Sequence, residues 1–346
     1  MKVLFVCSGN SKTFDVVPFI KAQGESLRKL GIDLDYFPIV GKGFKGYLKA
    51  GKALRQHLKR HSYDLIHAHF SLSGWSAVIG AGKTPVILSL MGDDAQGDYI
   101  GVNKIRFSSR LFIVSSFLIQ PFVRAIISKS KNLENFVYFK KKSFIIPNGV
   151  DTAVFKPHPR GFREELGLRK DKKIVLFLGS KERIGKNYPL AQEAVAYLNM
   201  PEVELINPFP LPHTDIPKYL NSADVLVVPS FMEGSPNVVK EAMACNCPIV
   251  ATDVGDISWV MGNTEGCYLA SFEVKDFSEK IWEALIFSET RGRTNGAERV
   301  EELGLGSENI AHRIIEVYKN FSAVKEQKKT PILAGTPGIQ KVKSVL

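Results

Sequence analysis

Cysteine is scarce in this chain and is nowhere spaced for metal binding or cross-linking. Cys7, Cys245, Cys247 and Cys267 are the full set; they lack the paired spacing of zinc sites and imply no disulfide framework, so they read as small buried thiols in a reducing compartment. A membrane-spanning run is also missing. The longest apolar stretch, residues 111–123, is interrupted by Ser115, Ser116, Gln120 and Pro121 and falls short of the roughly eighteen residues that a spanning helix needs. The opening MKVLFVCSGN reads as a first strand, too short in its apolar part for a signal peptide. A cytoplasmic protein is expected, at most peripheral on the inner face of a membrane. No G-x-G-x-x-G run follows the first strand, which argues against a nicotinamide dinucleotide fold, and no internal repeat is visible.

What is present is enough for two hydrophobic cores. At 346 residues and 45% hydrophobic content, two domains of about 150–170 residues each are expected. The boundaries are residues 1–150 and 151–325, with a loose tail at 326–346. The charge is divided unequally between the halves. Residues 1–150 hold 22 Lys and Arg against 9 Asp and Glu, a net of +13, while the remainder holds 24 against 26. A basic surface on one domain attracts anionic lipid headgroups, nucleic acid or acidic substrates. No nucleic-acid module accompanies it, so nucleic acid is not expected and a membrane-surface acceptor is favoured over a merely solvated basic face.

Short apolar runs alternate with helical patterns along the whole chain, the signature of parallel sheets buried on both faces. In the first half, strands are expected at residues 3–6, 34–39, 64–67, 86–90, 125–128 and 144–146. Helices are expected at 18–30, in the lysine-rich 41–60, at 106–126 and at 131–139. Residues 106–126 read as a core helix broken near Pro121, with membrane contact as the other reading. In the second half, strands fall at 174–178, 203–206, 225–228, 248–251 and 266–269, and helices at 188–198, 274–287 and 309–321. The fold class is α/β, two doubly wound Rossmann-like domains facing across a cleft.

Residues 224–261 carry the densest signal. A buried strand ends at Pro229, and a helix follows with Ser235 as its N-cap, Pro236 in its first turn, and Asn246 suited to a left-handed C-terminal cap before Pro248. Ligands of open α/β sheets bind outside the carboxyl ends of the strands, where such a helix presents free N–H groups. Glu233 lies in the loop. Glu241 lies on the helix on the same side as Asn237, four residues before it. Carboxylates beside an anion site suit a ligand that carries both phosphate and sugar hydroxyls.

Glu233 and Glu241, set in PSFMEGSPNVVKEAMACNCPIVATDVG, resemble the donor-sugar signature of the family 4 retaining glycosyltransferases of GT-B fold. His67-Ala68-His69-Phe70 resembles the family's H-x-H-F, and residues 146–157, IPNGVDTAVFKP, its interdomain segment. Two departures stand out. Met91 occupies the place of a common histidine before Gly92 and Asp94, and Ser180 follows Gly179 where the family has arginine, although Lys186 matches its lysine. Arg183 or Lys181 is expected to supply the missing charge.

The resemblance implies a nucleotide-diphosphate sugar as substrate and no cofactor or metal. The acceptor would be a glycan or a lipid-linked molecule, in cell-surface polysaccharide assembly. It places donor contacts at Gly179, Ser180, Lys186, Gly234, Ser235, Pro236, Asn237 and Glu241, and Gly9 and Asn10, in the small-residue loop after the first strand where backbone can approach a ligand, are expected to bind the donor as well. Glu233, His69 and Asp93 are the catalytic candidates, a structural histidine being the competing reading of His69. Two alternatives stay open: a nucleotide-sugar epimerase of the same fold, and a non-catalytic nucleotide-sugar-binding partner.

Overall fold

The computed structural model describes residues 1–10, 15–41, 43–159 and 161–322; the expected tail at 326–346 lies outside them. The first half runs β1 (Lys2–Ser8), α1 (Pro18–Lys29), β2 (Asp33–Ile39), α2 (Gly43–Leu58), β3 (Leu65–His69), α3 (Ser71–Gly80) and β4 (Val86–Leu90). It continues through α4 (Asp93–Gln96), a small hairpin of β5 (Tyr99–Gly101) and β6 (Lys104–Ile105), α5 (Arg110–Ile119), β7 (Ala125–Ser128), α6 (Lys131–Glu134) and β8 (Ser143–Ile145). The second half has β9 (Lys173–Leu176), α7 (Tyr188–Leu198), β10 (Val203–Ile206), α8 (Ile216–Ser222), β11 (Val225–Val228), α9 (Asn237–Ala244) and β12 (Ile249–Thr252). It ends with α10 (Ile257–Met261), β13 (Cys267–Ala270), α11 (Val274–Arg291), α12 (Gly296–Glu302) and α13 (Ser307–Phe321).

These strands form two parallel sheets, ordered β2-β1-β3-β4-β7-β8 and β10-β9-β11-β12-β13. Their central strands, such as β3, β4, β11 and β12, are buried along their whole length, as strands covered on both faces are; β11 is a continuous Val and Leu run, while β3 carries His67 and His69 into the core. In each sheet the chain reverses its direction of travel once. The reversal lies between β1 and β3 in the first sheet and between β9 and β11 in the second. Diverging loops open a crevice there, at the carboxyl ends of the strands.

The last helix ties the halves together. Ser307 N donates to Val150 O at 2.8 Å, Val150 N to Leu305 O at 2.9 Å, and α13 then packs on α1 of the first half. Its buried Tyr318 meets His67 of β3, hydroxyl to Nδ1 at 2.6 Å, while His67 Nε2 reaches Ser89 Oγ at 2.8 Å.

Three local expectations differ from the structure. The helix expected at 131–139 stops at Glu134 because Gln120 claims the next backbone groups: its Nε2 donates to Phe136 O at 2.9 Å and its Oε1 accepts from Tyr138 N at 2.7 Å. Residues 106–126 form α5 flanked by single 3₁₀ turns at Phe107–Ser109 and Gln120–Phe122, and one side of this segment is exposed rather than packed in the core. Ser235 does not cap α9. Pro236 holds the N-cap position without a side-chain cap bond, because the Ser235 hydroxyl is engaged elsewhere. At the other end of α9, Asn246 does adopt the left-handed conformation, with φ of 55°. The helix α3 was not expected; it follows Phe70, itself held at φ of 70°, a strained conformation for an aromatic residue.

Candidate active site

The loops after β9 and β11 build one wall of the crevice. Lys186 Nζ donates to Glu233 Oε1 at 2.6 Å, and both side chains are largely covered. Burial pushes the Glu233 carboxyl up, but the Lys186 ammonium more than offsets it, so the group lies below the usual glutamate range. Further along, Glu241 Oε1 accepts from His213 Nε2 at 2.9 Å, which draws the imidazole pKa up against the effect of burial. One turn earlier on α9, the buried Asn237 Oδ1 has no hydrogen-bond partner among the described residues. Asn237, Glu241 and His213 line a cavity of about 110 Å³, closed on the other side by Gln23 of α1 and by Asn148 and Phe155 of the connector.

Behind this wall lies a polar triad that spacing alone did not disclose. Lys240 Nζ, fully buried, donates to Ser235 Oγ at 2.6 Å and to Asp256 Oδ2 at 3.1 Å, and Ser235 Oγ donates to the same Asp256 oxygen at 2.7 Å. A buried lysine requires such pairing. The triad pins the start of α9 to the loop after β12.

Gly92 and Gly234 carry the contact between the walls. A Cβ on Gly234 would overlap the Met91 carbonyl oxygen and lie only 3.0 Å from the Met91 carbonyl carbon and 3.3 Å from Gly92 Cα. Gly92 itself has φ of 138°. Buried Asp94 holds this turn in place, accepting from the backbone N–H groups of Met91 at 3.0 Å, Gly92 at 3.1 Å and Ser71 at 2.9 Å. Position 91 thus contributes its backbone to the interface whatever its side chain.

Asp93 reaches across the crevice to Arg183, Oδ2 to Nη2 at 2.6 Å, and Asn132 Nδ2 donates to Gly255 O at 2.8 Å. Arg183 is therefore a clasp on the first half, and Lys181 lies over the Tyr188 ring at 4.6 Å; neither stands free in place of the arginine missing at Ser180. The Ser180 hydroxyl accepts from Glu182 N at 3.3 Å, and Gly179 O accepts from Asn207 Nδ2 at 3.1 Å.

On the first half, Gly9 lies where a Cβ would come 2.9 Å from Pro38 Cβ, so this glycine permits close packing of the loop against β2. Asn10 spends its amide on the same job: Nδ2 donates to Gly41 O at 3.0 Å and Oδ1 accepts from Gly41 N at 2.8 Å. The structure brings Glu233, Gly234, Lys186 and Asp93 to the mouth of the crevice. His69 is not among them. It is fully buried, stacked on His67 at 4.3 Å and edge-on to Phe5 at 4.6 Å, with neither ring nitrogen hydrogen-bonded among the described residues.

Lys129, immediately after β7, is fully buried and its ammonium has no hydrogen-bond partner among the described residues. The charged and titratable groups acting on it are Lys240 across the crevice, itself paired with Asp256, and His67 and His69 alongside. Burial, reinforced by Lys240, pushes its pKa down to about 7. Below that pH the folded and unfolded states both carry the proton, and folding bears the whole cost of burying the charge. From about 7 up to the ordinary lysine range near 10.5 the unfolded chain binds more protons, so this residue's contribution to stability rises with pH. Lys129→Met is expected to raise the melting temperature, by on the order of 5 °C at pH 6 and by much less at pH 9. An equal gain at both pH values would show that the lysine is not buried as a charge.

The sequence matches two family profiles in tandem. Residues 2–154 match "Glycosyltransferase Family 4" and residues 168–286 match "Glycosyl transferases group 1". The chain belongs to the GT-B glycosyltransferases. Among its relatives is the putative teichuronic acid biosynthesis glycosyltransferase TuaC of Bacillus subtilis, 26% identical over 255 residues, which cover 67% of this chain and 64% of TuaC. Another is the N,N'-diacetylbacillosaminyl-diphospho-undecaprenol alpha-1,3-N-acetylgalactosaminyltransferase of Campylobacter jejuni, 30% identical over 48% of this chain and 42% of that enzyme. The matches to these two thus span under two thirds of either relative. The fold is shared with sucrose-phosphate synthase of Thermosynechococcus elongatus, with a TM-score of 0.72 at 19% identity covering 92% and 98% of the two chains. It is also shared with Anabaena HepE in complex with UDP and glucose, with a TM-score of 0.67 at 16% identity covering 93% and 100%.

In this GT-B glycosyltransferase, several site residues went unnoticed in the sequence: His213, Lys240, Asp256, Asn148 and Lys129. An isolated lysine or histidine gives no signal until folding removes its water. The i, i+5 placement of Ser235 and Lys240 on a helix start was the one hint available locally.

Proposed function

We propose that this glycosyltransferase moves a hexose-type sugar from a nucleotide-diphosphate donor, held on the second half, to a glycan or lipid-linked acceptor held on the first, with retention at the anomeric carbon. The observation that carries the reading is the arrangement along α9. Asn237 Oδ1, buried and unpartnered among the described residues, and Glu241 line the cavity between the halves, while Lys186 and Glu233 pair on the loops after β9 and β11. Acceptors spaced in this way suit ribose and sugar hydroxyls. A lysine and the free N–H groups at the start of α9 suit the diphosphate. HepE, which shares this fold, is described in complex with UDP and glucose, a ligand pair of the proposed class.

Transfer would follow a front-face course. The acceptor hydroxyl attacks the anomeric carbon on the side from which the diphosphate leaves; the carbon–oxygen bond to phosphate breaks, and the departing phosphate oxygen takes the hydroxyl proton. Lys186 and the α9 N-terminus stabilise the charge that develops on the leaving group. No metal or enzyme nucleophile enters this scheme. Acceptors in cell-surface polysaccharide assembly fit the teichuronic acid and undecaprenol relatives, and catalysis would take place on the cytoplasmic side.

The test begins with donor binding. Titration with UDP-, GDP- and ADP-sugars is expected to raise the melting temperature for one nucleotide class, since a ligand at a hundred times its Kd stabilises by about 2.7 kcal/mol, and Glu241→Ala is expected to abolish that rise. No stabilisation by any donor, with Glu241→Ala indistinguishable from the parent, would remove the donor assignment. Nucleotide diphosphate released only in the presence of acceptor supports transfer. Interconversion of the sugar without acceptor would instead favour an epimerase, and binding without turnover a non-catalytic partner.

A further inference from the structure

The segment around α5 carries a feature that sugar transfer does not use. Phe107, Leu111, Val114, Leu118 and Phe122 recur at i, i+4, i+7, i+11 and i+15, the spacing of a single helical stripe. They are 80%, 72%, 51%, 59% and 62% exposed. The opposite side of the same segment is buried through Ser109, Ser116, Ile119 and Gln120. It is fastened to α3, whose Trp75 Nε1 donates to Ser115 Oγ at 2.9 Å. The stripe is therefore a rigidly mounted apolar ridge. Scattered exposed apolar residues are ordinary, but a continuous row of five of this size marks an interaction surface.

Charge identifies the partner. From residue 99 to residue 133 there is no Asp or Glu, while Lys104, Arg106, Arg110, Arg124, Lys129 and Lys131 are all in that span. Lys129 is buried and Arg106 is paired with Asp98 at 2.8 Å, but Arg110 and Arg124 are exposed at the two ends of the ridge. The Arg110 guanidinium lies over the Phe107 ring at 5.4 Å, so cation and apolar surface form one face. An apolar stripe flanked by arginines, on a half of net charge +13, matches the interface of an anionic bilayer, where rings and leucines enter the acyl boundary and guanidinium groups meet lipid phosphates. Among the described residues no helix is long and apolar enough to cross a membrane, so such contact would lie in the interface plane.

We propose that this ridge, Phe107 to Phe122 with Arg110 and Arg124, seats the protein on an anionic membrane surface. Its position relative to the crevice gives this docking a use. The ridge packs against α4, which begins at the clasp residue Asp93, and the intervening β5–β6 hairpin touches the second half, where a Cβ on Gly185 would lie 3.3 Å from Tyr99 O. A molecule anchored in the bilayer would thus have its headgroup delivered beside the crevice mouth.

The experiment is co-sedimentation of the full chain with vesicles of phosphatidylcholine alone and of phosphatidylcholine with 30% phosphatidylglycerol, with no donor present, so the outcome is independent of the transfer reading. Binding to the anionic vesicles is expected. The double variant Leu111→Ser/Leu118→Ser is expected to bind at least tenfold more weakly, since burial of each leucine contributes substantially to interfacial affinity. Arg110→Gln/Arg124→Gln is expected to remove the preference for anionic over neutral vesicles. Because all four side chains are exposed, melting temperatures should match the parent. Undiminished vesicle binding by the leucine variant would overturn the proposal. So would sedimentation velocity showing a parent dimer that the leucine variant converts to monomer, with no vesicle binding by either, since a second copy would then be the occupant.

Discussion

Gly234→Ala is expected to leave both halves folded and to lower transfer by more than a hundredfold. The reason is steric and lies in the contact between the halves. The added methyl would strike the backbone of Met91 and Gly92, at 3.0 Å from the Met91 carbonyl carbon and closer still to its oxygen. Backbone held by two hydrogen bonds to Asp94, which Ser71 N anchors in turn, cannot give way as a flexible side chain would. The three closest approaches are all to the first half, and Gly234 is not among the residues with positive φ, so the damage falls on the contact between the halves. The crevice would be held ajar, and a displacement of even about 1 Å from productive geometry is costly to a reaction that depends on positioning. Small-angle scattering should show a larger radius of gyration than the parent, with circular dichroism unchanged. The same scattering curve and the same rate as the parent would refute the closed arrangement as the working one. Gly255→Ala serves as a contrast: its φ of 67° and the 2.8 Å approach of its would-be Cβ to Glu233 O place the damage inside the second half, so lost melting temperature is expected there.

Lys186→Ala should reduce kcat by about a hundred- to a thousandfold, the range found when a charge-stabilising group is removed from a developing oxyanion. The structure leaves few substitutes. Ser180 stands where an arginine would, Arg183 is held by Asp93 at 2.6 Å, and Lys181 lies on Tyr188. In the proposed scheme donor affinity should fall less than kcat, because the charge on a leaving diphosphate would grow during transfer. The substitution also strands Glu233, whose covered carboxylate is kept ionised by this lysine. That loss has its own signature. The contribution of Glu233 to stability is present above the ordinary glutamate pKa and disappears as pH falls through its lowered folded-state value, so the variant's deficit in melting temperature should be clear at pH 7 and narrow in acid. Lys186→Arg, which keeps the charge, should recover part of the rate. A reduction in kcat of less than tenfold in Lys186→Ala would mean that the diphosphate charge is met elsewhere.

The Arg183–Asp93 clasp contributes differently. Both side chains are about half exposed, and pairs of this kind are worth roughly 0–1 kcal/mol. It biases the closed arrangement without enforcing it, whereas the glycine contact sets how near the halves can come.

Much of the fold was legible because its signals are local. The strand runs at residues 86–90, 125–128 and 225–228 are continuous apolar stretches that no neighbour has to interpret, and each appears where expected. Asn246 takes its left-handed conformation for reasons contained within a few residues. Legibility failed where a distant group outbid a local one. Ser235 has the chemistry of an N-cap, yet Asp256, twenty-one residues later, and Lys240 take its hydroxyl. The helix after Ser130 has the composition to continue, yet Gln120 withdraws two backbone groups from it. His69 is next to the crevice in sequence terms, at the end of a central strand, and its neighbours Phe5 and His67 seal it in.

The sequence by itself determined the two parallel sheets, the carboxyl-end loops that hold Glu233 and Lys186, the helix that carries Glu241, and the concentration of positive charge in the first 150 residues. These follow from apolar periodicity, turn chemistry and composition, which act over a few residues at a time. Only the tertiary structure decided that Lys186 pairs with Glu233 and Glu241 with His213, that Gly234 meets Met91, that Lys129 is buried without a hydrogen-bond partner among the described residues, and that the apolar row from Phe107 to Phe122 faces outward. Each of these depends on which surfaces lose water when two sheets and a returning helix close on one another, and that is a property of the assembled chain.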